Sequence, residues 1–364
     1  MTTGNHRADE RFRLARLARG LSQGAMADMA GVTRQSISGI ESGRWSPSLE
    51  VALALAAALG TSVEDLFGAT PELPALDARL AAPALASARL LLSEIDGAPV
   101  AFPLVGDYGF VPGFRPALAH ATSTQAEAAG SLIVTQPIAT LRPSVAIAGC
   151  DPALALLAGP LERHRPPTGL VWWACNNTAG HRLLEAGTVH AAAVHRRASE
   201  QPRRPEEHEV VGFAAWREGL VVSSEHAGSV HCLADALELG LRLVNREPGS
   251  EARRLLDEAL GALGAEPTTL PGYGTACGAH LLVASSIAAG LGDIGVASEP
   301  AALAYGLGFL PWQEEICELH IPRSLLGTQE IRALLDVLAG SELPAQLAAI
   351  AGYDTGPCGK VSEA

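Results

Sequence analysis

"LSQGAMADMAGVTRQSISGIESG", residues 21–43, holds two short helices and the turn between them. Ser22 is placed to cap a helix over Gln23–Ala30, because its hydroxyl can accept an N–H that has no partner inside the helix. Gly31 permits the turn, and Thr33 caps a second helix over Arg34–Glu41. The small Ala27 lets the two helices approach, while Ile37 and Ile40 anchor the second on a core. With those positions inside, Thr33, Arg34, Gln35 and Ser38 face outward.

Three further helices surround the pair. One spans about Asp9–Arg19, with Phe12, Leu14 or Ala15, and Leu17 or Ala18 turned inward. Another starts at Ser46–Ser48 with Pro47, runs through "LEVALALAAALG" and stops at Gly60. "TSVEDLF" supplies the last, with Ser62 and Asp65 spaced as a capping box. The central pair has helix-turn-helix spacing, in which the second helix enters the major groove of DNA. Residues 20–67 resemble the phage-repressor (XRE) class of helix-turn-helix domain over their whole length. The resemblance implies that Gln23, Thr33, Arg34, Gln35 and Ser38 lie near bases or phosphates, with Ser42 and Arg44 near the DNA backbone. Gly39 departs from the pattern and weakens its helix by about 1 kcal/mol relative to alanine.

Size and composition narrow the possibilities. A chain of 364 residues exceeds one ordinary core, and 48% hydrophobic against 18% charged residues marks a folded protein. The net charge of −13 argues against a surface coated by nucleic acid. Residues 1–69 carry seven arginines and seven carboxylates, so the whole deficit lies beyond them and DNA contact is expected only within them. The opening residues lack the apolar stretch of a signal peptide, and no uninterrupted apolar run is long enough to span a membrane. A cytoplasmic protein is expected, its six scattered cysteines reduced.

Residues 69–88 combine three prolines with small residues and read as a linker, helical near Leu76–Ala82. Residues 89–143 begin with a hairpin, Leu90–Glu94 and Val100–Leu104 flanking "DGAP". A dimer contact and a cap on the next domain are both open roles for that segment.

From Ser144 the pattern alternates between strands and helices, as in parallel sheets covered on both faces. Ligands of such sheets sit where strands end and helices begin. Four junctions therefore define a pocket: Cys150–Asp151, Asn176–Asn177–Thr178, Gly249–Arg253 and Tyr273–His280. The third lies in "NREPGSEARRLLDE", where Ser250 and Arg253 share the first turn of a helix whose free N–H groups suit an anion.

Segments from "VAIAGCDPALALLA" to the terminal "GYDTGPCG", in order over residues 144–357, are similar to the periplasmic-binding-protein-like domain fused to bacterial regulators and to some molybdenum-cofactor proteins. The resemblance implies a type II fold, two α/β lobes joined by the crossing strands "VVGFAAWREGLVV" and "FLPWQEEICELHI", with ligand between them. Cys150, Asp151 and Asn176, Asn177 and Thr178 would come from lobe one; Ser250, Arg253, Tyr273 and His280 from lobe two. Related domains often hold tetrahedral oxyanions such as molybdate or tungstate. Here Cys150 stands where a hydroxyl is expected, two asparagines replace a Gly-Ser pair, and Glu251 adds a carboxylate.

The expected architecture is thus multidomain: an all-α five-helix helix-turn-helix domain over 1–68, then a two-lobed α/β binding-protein-like domain over 144–357 and a tail over 358–364. The expected function is a one-component bacterial regulator, a homodimer on double-stranded operator DNA, gated by a small-molecule or oxyanion effector. A constitutive repressor with a ligand-free dimerisation domain and a cysteine-based metal or redox sensor are the alternatives. No Gly-x-Ser-x-Gly elbow, Walker A loop or dinucleotide fingerprint is present, so neither catalytic residues nor a cofactor are expected. No short metal-ligand spacing appears beyond Cys277-x-x-His280, and no metal site is assigned.

Overall fold

The computed structural model describes residues 3–68, 75–82, 89–104, 118–121, 129–134, 142–201 and 205–361. Its contacts divide the chain into two compact units, Met1–Leu73 and Pro74–Ala364.

The first unit is helical: α1 (Thr3–Ala18), α2 (Gln23–Ala30), α3 (Arg34–Glu41), α4 (Leu49–Leu59) and α5 (Val63–Phe67). The caps form as their residue types dictate. Ser22, Thr33, Ser48 and Ser62 each accept an N–H of the following turn, and Gly31 and Gly60 close α2 and α4 at φ 66° and 55°. Phe12, Met26, Ile37, Ile40, Leu55 and Leu59 make the core. On α1 the inward side chains are Phe12, Ala15 and Arg16; Leu14, Leu17 and Ala18 are exposed. Gly39 is buried under Trp45, whose ring would lie 2.5 Å from any Cβ at that position.

The second unit starts with a closed barrel in the order β1-β3-β2-β4-β5, comprising β1 (Ala75–Leu80), β2 (Arg89–Ile95), β3 (Ala98–Pro103), β4 (Leu118–Ala121) and β5 (Ala129–Val134). Two sequence expectations change here. The stretch around Leu76 is a strand rather than a helix, because it pairs with both β3 and β5. The hairpin turns on Asp96-Gly97 alone, both at positive φ, so Ala98 and Pro99 already belong to β3. Other parts of the 69–88 and 89–143 segments lie outside the described residues. Ile95, Val100 and Phe102 join the core of the following sheet, and the Ser93 hydroxyl donates to the Ser144 carbonyl at 2.9 Å.

Lobe one contains β6 (Ser144–Ala148), α6 (Ala158–Arg163), β7 (Gly169–Trp173), α7 (Asn177–Glu185) and β8 (Ala191–Arg197). The long β9 (His208–Val222) then crosses to lobe two. There lie α8 (Leu233–Glu238), β10 (Leu243–Arg246), α9 (Glu251–Ala262), β11 (Ala276–Cys277), α10 (His280–Ala288), β12 (Ile294–Ser298) and α11 (Glu299–Ala304). The equally long β13 (Gly308–Pro322) returns, and α12 (Gln329–Ala339), α13 (Glu342–Ala348) and β14 (Tyr353–Asp354) complete the described elements.

The strands form one sheet in the order β11-β10-β12-β9-β13-β8-β6-β7, with β14 on β9. β9 and β13 pair antiparallel along their length and join the two lobes, with register shifts at Pro311/Gln313 and Cys317/Glu318. β6 and β7 run parallel, as do β6 and β8, which brings the ends of these strands to one edge. Residues 359–361 are paired rather than a free tail: Gly359 and Lys360 exchange backbone bonds with Gly212, and Val361 bridges Val211. Among the described residues, no helix is long and apolar enough to cross a membrane.

Candidate functional site

Two surfaces carry the expected residues. On α3, Arg34 and Gln35 are exposed and Ser38 is half-buried, while Ile37 and Ile40 face the core. Thr33 caps α3 through Ser36 N at 3.0 Å. The Ser42 hydroxyl donates to Gly39 O at 3.1 Å and receives the Arg44 Nε–H at 3.3 Å. Gln23 donates to Glu41 Oε2 at 2.8 Å, and Glu41 also takes a two-pronged bond from the buried Arg16. Burial alone would raise the Glu41 pKa, but the bonds from Arg16 and Gln23 outweigh it and hold the carboxyl below its usual range.

The second surface is where the lobes meet. Gly149 ends β6 against Ala193, where a Cβ would lie 2.6 Å from the alanine methyl, and so sets Cys150 in a buried position. Asp151 caps the 3-10 helix that follows, accepting from Ala153 N at 2.8 Å and from the Tyr353 hydroxyl at 2.6 Å. Burial lifts its pKa to about 6 against those two bonds and the nearby His195 charge, and its second oxygen has no hydrogen-bond partner.

Asn176 caps α7 and donates to Glu247 Oε1 at 3.4 Å, while Thr178 donates to Gly249 O at 3.4 Å. Both bonds run from lobe one to lobe two. Asn177 exchanges two bonds with the His195 backbone and so fixes the end of β8.

In lobe two the Ser250 hydroxyl is engaged by its own loop, donating to Glu247 O at 2.9 Å and accepting from Arg253 N at 3.3 Å. Arg253 lies 3.9 Å over the Tyr273 ring and bonds Asp257 and Arg246 O. The Tyr273 hydroxyl also goes to Asp257. These three residues are thus gathered within their lobe.

His280 is different. Starting α10, it is buried, with Nε2 3.8 Å from Cys150 Sγ across the lobes and Nδ1 accepting from Ser298 N at 3.2 Å. Burial first, then the charges of Arg246 and His195, push its pKa well below the usual histidine value.

Sequence reasoning missed four residues beside it: His195, Glu218, Arg246 and Glu315, all buried. His195 Nδ1 lies 3.0 Å from Glu315 Oε2. Burial would lower the His195 pKa, but Cys150 and Glu315 prevail and raise it well above normal. Glu218 is fully buried, and neither of its oxygens has a hydrogen-bond partner. Burial, the leading cause, carries its pKa to about 7. Arg246 pairs with Glu247 at 2.8 Å, yet its Nη1 is also unpartnered.

Two triplets could hold a metal ion: Cys150, His195 and His280, and His195, Glu218 and Glu315, the ligand atoms of each within 4.8 Å of one another. Cys175 and Cys277 have other surroundings. Burial and the neighbouring Cys150 raise the Cys175 thiol to about 12, and Cys277 contacts the Ser286 hydroxyl. A cavity of about 480 Å³, lined in part by Asn177, Arg196, Glu251 and Glu318, touches the cluster at His195.

A signal for some of the missed residues existed. β8 runs parallel to β6, so His195 near its carboxyl end falls on the same edge as Cys150. Glu218 is a fully buried carboxylate among the mostly apolar residues of β9, whereas Glu315 follows Gln313 and Glu314 in a polar stretch of β13 that carries no such signal.

A helix-turn-helix followed by a two-lobed cleft defines a regulator that couples a DNA reader to a binding domain, and the sequence comparisons agree. Residues 12–66 match the helix-turn-helix family and residues 158–339, half of the chain, match the PBP superfamily domain. The chain belongs to the PBP superfamily and carries a helix-turn-helix domain of the XRE type. It is a transcription regulator with a DNA-binding and a ligand-binding domain. An HTH-type transcriptional regulator of Methanothermobacter thermautotrophicus is 51% identical over 49 residues, 13% of this chain and 71% of that protein. The protein YvgK of Bacillus subtilis is 28% identical over 234 residues, 60% of this chain and 74% of that protein. Among solved structures, the restriction-modification controller protein C.AhdI from Aeromonas hydrophila is 36% identical over 17% of this chain and 96% of its own, with a TM-score of 0.17.

Proposed function

We propose that this protein is a one-component regulator that binds two-fold operator DNA as a homodimer and is gated by an effector held between the lobes of its C-terminal domain. Thr33, Arg34, Gln35 and Ser38 read the major groove, with Ser42 and Arg44 on the backbone. Two such units on half-sites about 34–36 Å apart match the symmetry of a dimer. An effector that prefers one arrangement of the lobes shifts the population of operator-competent protein by its differential affinity.

One observation carries the gating: Cys150 and His195 of lobe one meet His280 of lobe two beside a buried, unpartnered Glu218. Such groups are costly to leave unsatisfied in a cavity built only for packing, which favours an effector site over a ligand-free dimerisation domain. The chemistry favours an electron-pair acceptor over molybdate or tungstate. Ser250 and Arg253 are engaged within their own lobe, and Asp151, Glu218, Glu247 and Glu315 surround the cleft with carboxylates.

The test is operator binding by the full chain, on a sequence selected from random DNA, before and after His280→Ala. The expected result is unchanged affinity without effector and lost response to effectors drawn from cell extract. A response that survives in the variant would place the effector elsewhere and end the reading.

A further inference from the structure

We propose that Cys150, His195 and His280 bind a divalent metal cation of the zinc type across the two lobes, with Glu315 and Glu218 orienting the two imidazoles. The inference deepens the reading of the cleft as an effector site and rests on it.

The donor set is one sulfur and two ring nitrogens, the mixture suited to zinc, cobalt or nickel rather than to the hard cations magnesium and calcium. The three atoms lie within 4.8 Å of one another, and Cys150 Sγ is 3.8 Å from His280 Nε2. Sulfur and nitrogen bound tetrahedrally to zinc stand about 3.5 Å apart, so the pair is near coordinating separation. Three protein ligands leave a fourth position for water or another donor.

A metal-bound imidazole normally donates its other N–H to a carboxylate, which fixes the ring. His195 has that partner, since its Nδ1 meets Glu315 Oε2 at 3.0 Å and Nε2 remains as the ligand. Glu315 is itself held by the Gln313 amide.

His280 supplies the informative asymmetry. Its Nδ1 accepts the Ser298 N–H, so in the neutral ring the proton sits on Nε2, towards the Cys150 sulfur. Metal at Nε2 replaces that proton, the ring then carries its proton on Nδ1, and the Cys150 thiol and the Nε2 of a protonated His195 each give up a proton to solvent. Glu218 Oε1 stands 3.9 Å from Nδ1, and neither Glu218 oxygen has a hydrogen-bond partner. A ring movement of about 1 Å away from the Ser298 amide brings Nδ1–H into hydrogen-bond range of that carboxylate. Metal at Nε2 would thereby give the buried Glu218 carboxylate a donor in exchange for the Ser298 N–H bond that the ring gives up. Because Cys150 and His195 belong to lobe one and His280 to lobe two, the same ion ties the lobes together.

The test uses the full chain, stripped with a chelator and titrated with cobalt(II) under reducing conditions. The expected result is one ion per chain, with the intense thiolate-to-cobalt band in the near ultraviolet and the visible bands of a tetrahedral site. Cys150→Ser abolishes the thiolate band. Glu218→Gln, which keeps all three ligands, weakens zinc 10–100-fold in competition with a chromophoric chelator. Circular dichroism and operator binding verify that each variant is folded. Absence of the band in the parent chain, or its persistence in folded Cys150→Ser, overturns the metal site. The two readings fail separately. One-to-one binding with operator affinity unaffected by zinc upholds the site and removes the gating role. No metal binding, alongside an operator response to another effector that His280→Ala eliminates, removes the site and leaves the gating intact.

Discussion

Arg16 on α1 grips Glu41 at the end of α3 with two prongs, Nε to Oε1 at 2.6 Å and Nη2 to Oε2 at 3.1 Å, both side chains nearly enclosed. The pair holds α3 to the body of its domain, and Gln23 of α2 joins the same carboxylate. Removing one partner strands the other, so Glu41→Ala should destabilise the N-terminal unit by about 3 kcal/mol. Arg16→Lys cannot reproduce the fork and should recover only part of the loss. Thermal melts of the full chain, followed with operator binding, measure both. Parent-like stability for Glu41→Ala would show that the pair contributes nothing.

Arg34 and Gln35 are exposed at the start of α3, so replacing them should leave stability unchanged. Arg34→Ala should lower operator affinity and, if it contacts a phosphate, reduce the salt dependence by about one unit of slope. Gln35→Ala should cost about 1–3 kcal/mol at one base pair and relax selectivity there. Salt titrations and single-base operator variants distinguish the two effects. Equal loss on specific and random DNA for Gln35→Ala would argue against a base contact.

Gly39 tests packing against propensity. Alanine should favour α3 by about 1 kcal/mol on propensity alone. Its Cβ, however, would sit 2.5 Å from the Trp45 ring, so Gly39→Ala should destabilise the domain or expel the ring. The double variant with Trp45→Ala should regain the propensity gain, and tryptophan fluorescence reports the ring. A stabilised single variant with an unmoved Trp45 signal contradicts the contact.

Two buried histidines make the C-terminal domain lose stability in acid, an effect set against Asp151 and Glu218, whose raised pKa values make them gain it over the same range. Burial lowers the pKa of His190 to about 4, against an opposing bond to the Glu94 backbone, and its Nδ1 accepts the Ala146 N–H. Burial likewise carries His320 to about 4. Both are neutral in the folded chain while the unfolded chain takes up protons below about 6.5. Their contribution is therefore complete above about pH 6.5 and is lost as pH falls towards 4, by up to about 3 kcal/mol for each group. Urea unfolding across that range should show His190→Gln losing less stability towards pH 4 than the parent chain does. A slope that the substitution leaves unaltered assigns the effect to other groups.

The helical unit was legible because its signals are local. Caps at Ser22, Thr33 and Ser62 and the turn at Gly31 depend on residues three or four positions away, and α2 and α3 occupy the predicted spans. The crossing strands were also readable, through the family resemblance that placed them, and β9 and β13 occupy those stretches. The barrel was not, since β1 pairs with β5 across some fifty residues and "ALDARL" has the composition of a helix. Long-range pairing overrode local propensity. The candidate site was half visible for a related reason. Junction residues announce themselves as helix starts, yet Ser250 and Asn176 spend their polar atoms partly on capping. Glu218 and Glu315 act from the middle of strands, where only the register of the folded sheet tells which residues gather.

That register has a mechanical consequence. Glu218 faces Gln313 where the β9–β13 ladder slips, with Pro311 opposite Gly219 and Trp312 left over. Rotation of one lobe against the other would be taken up by these two strands, and a bulge is where a ribbon bends with least loss of pairing. The Glu218 carboxyl group thus lies at the slip in the ladder itself. Any small angle opened there would alter the surroundings of that carboxyl group directly.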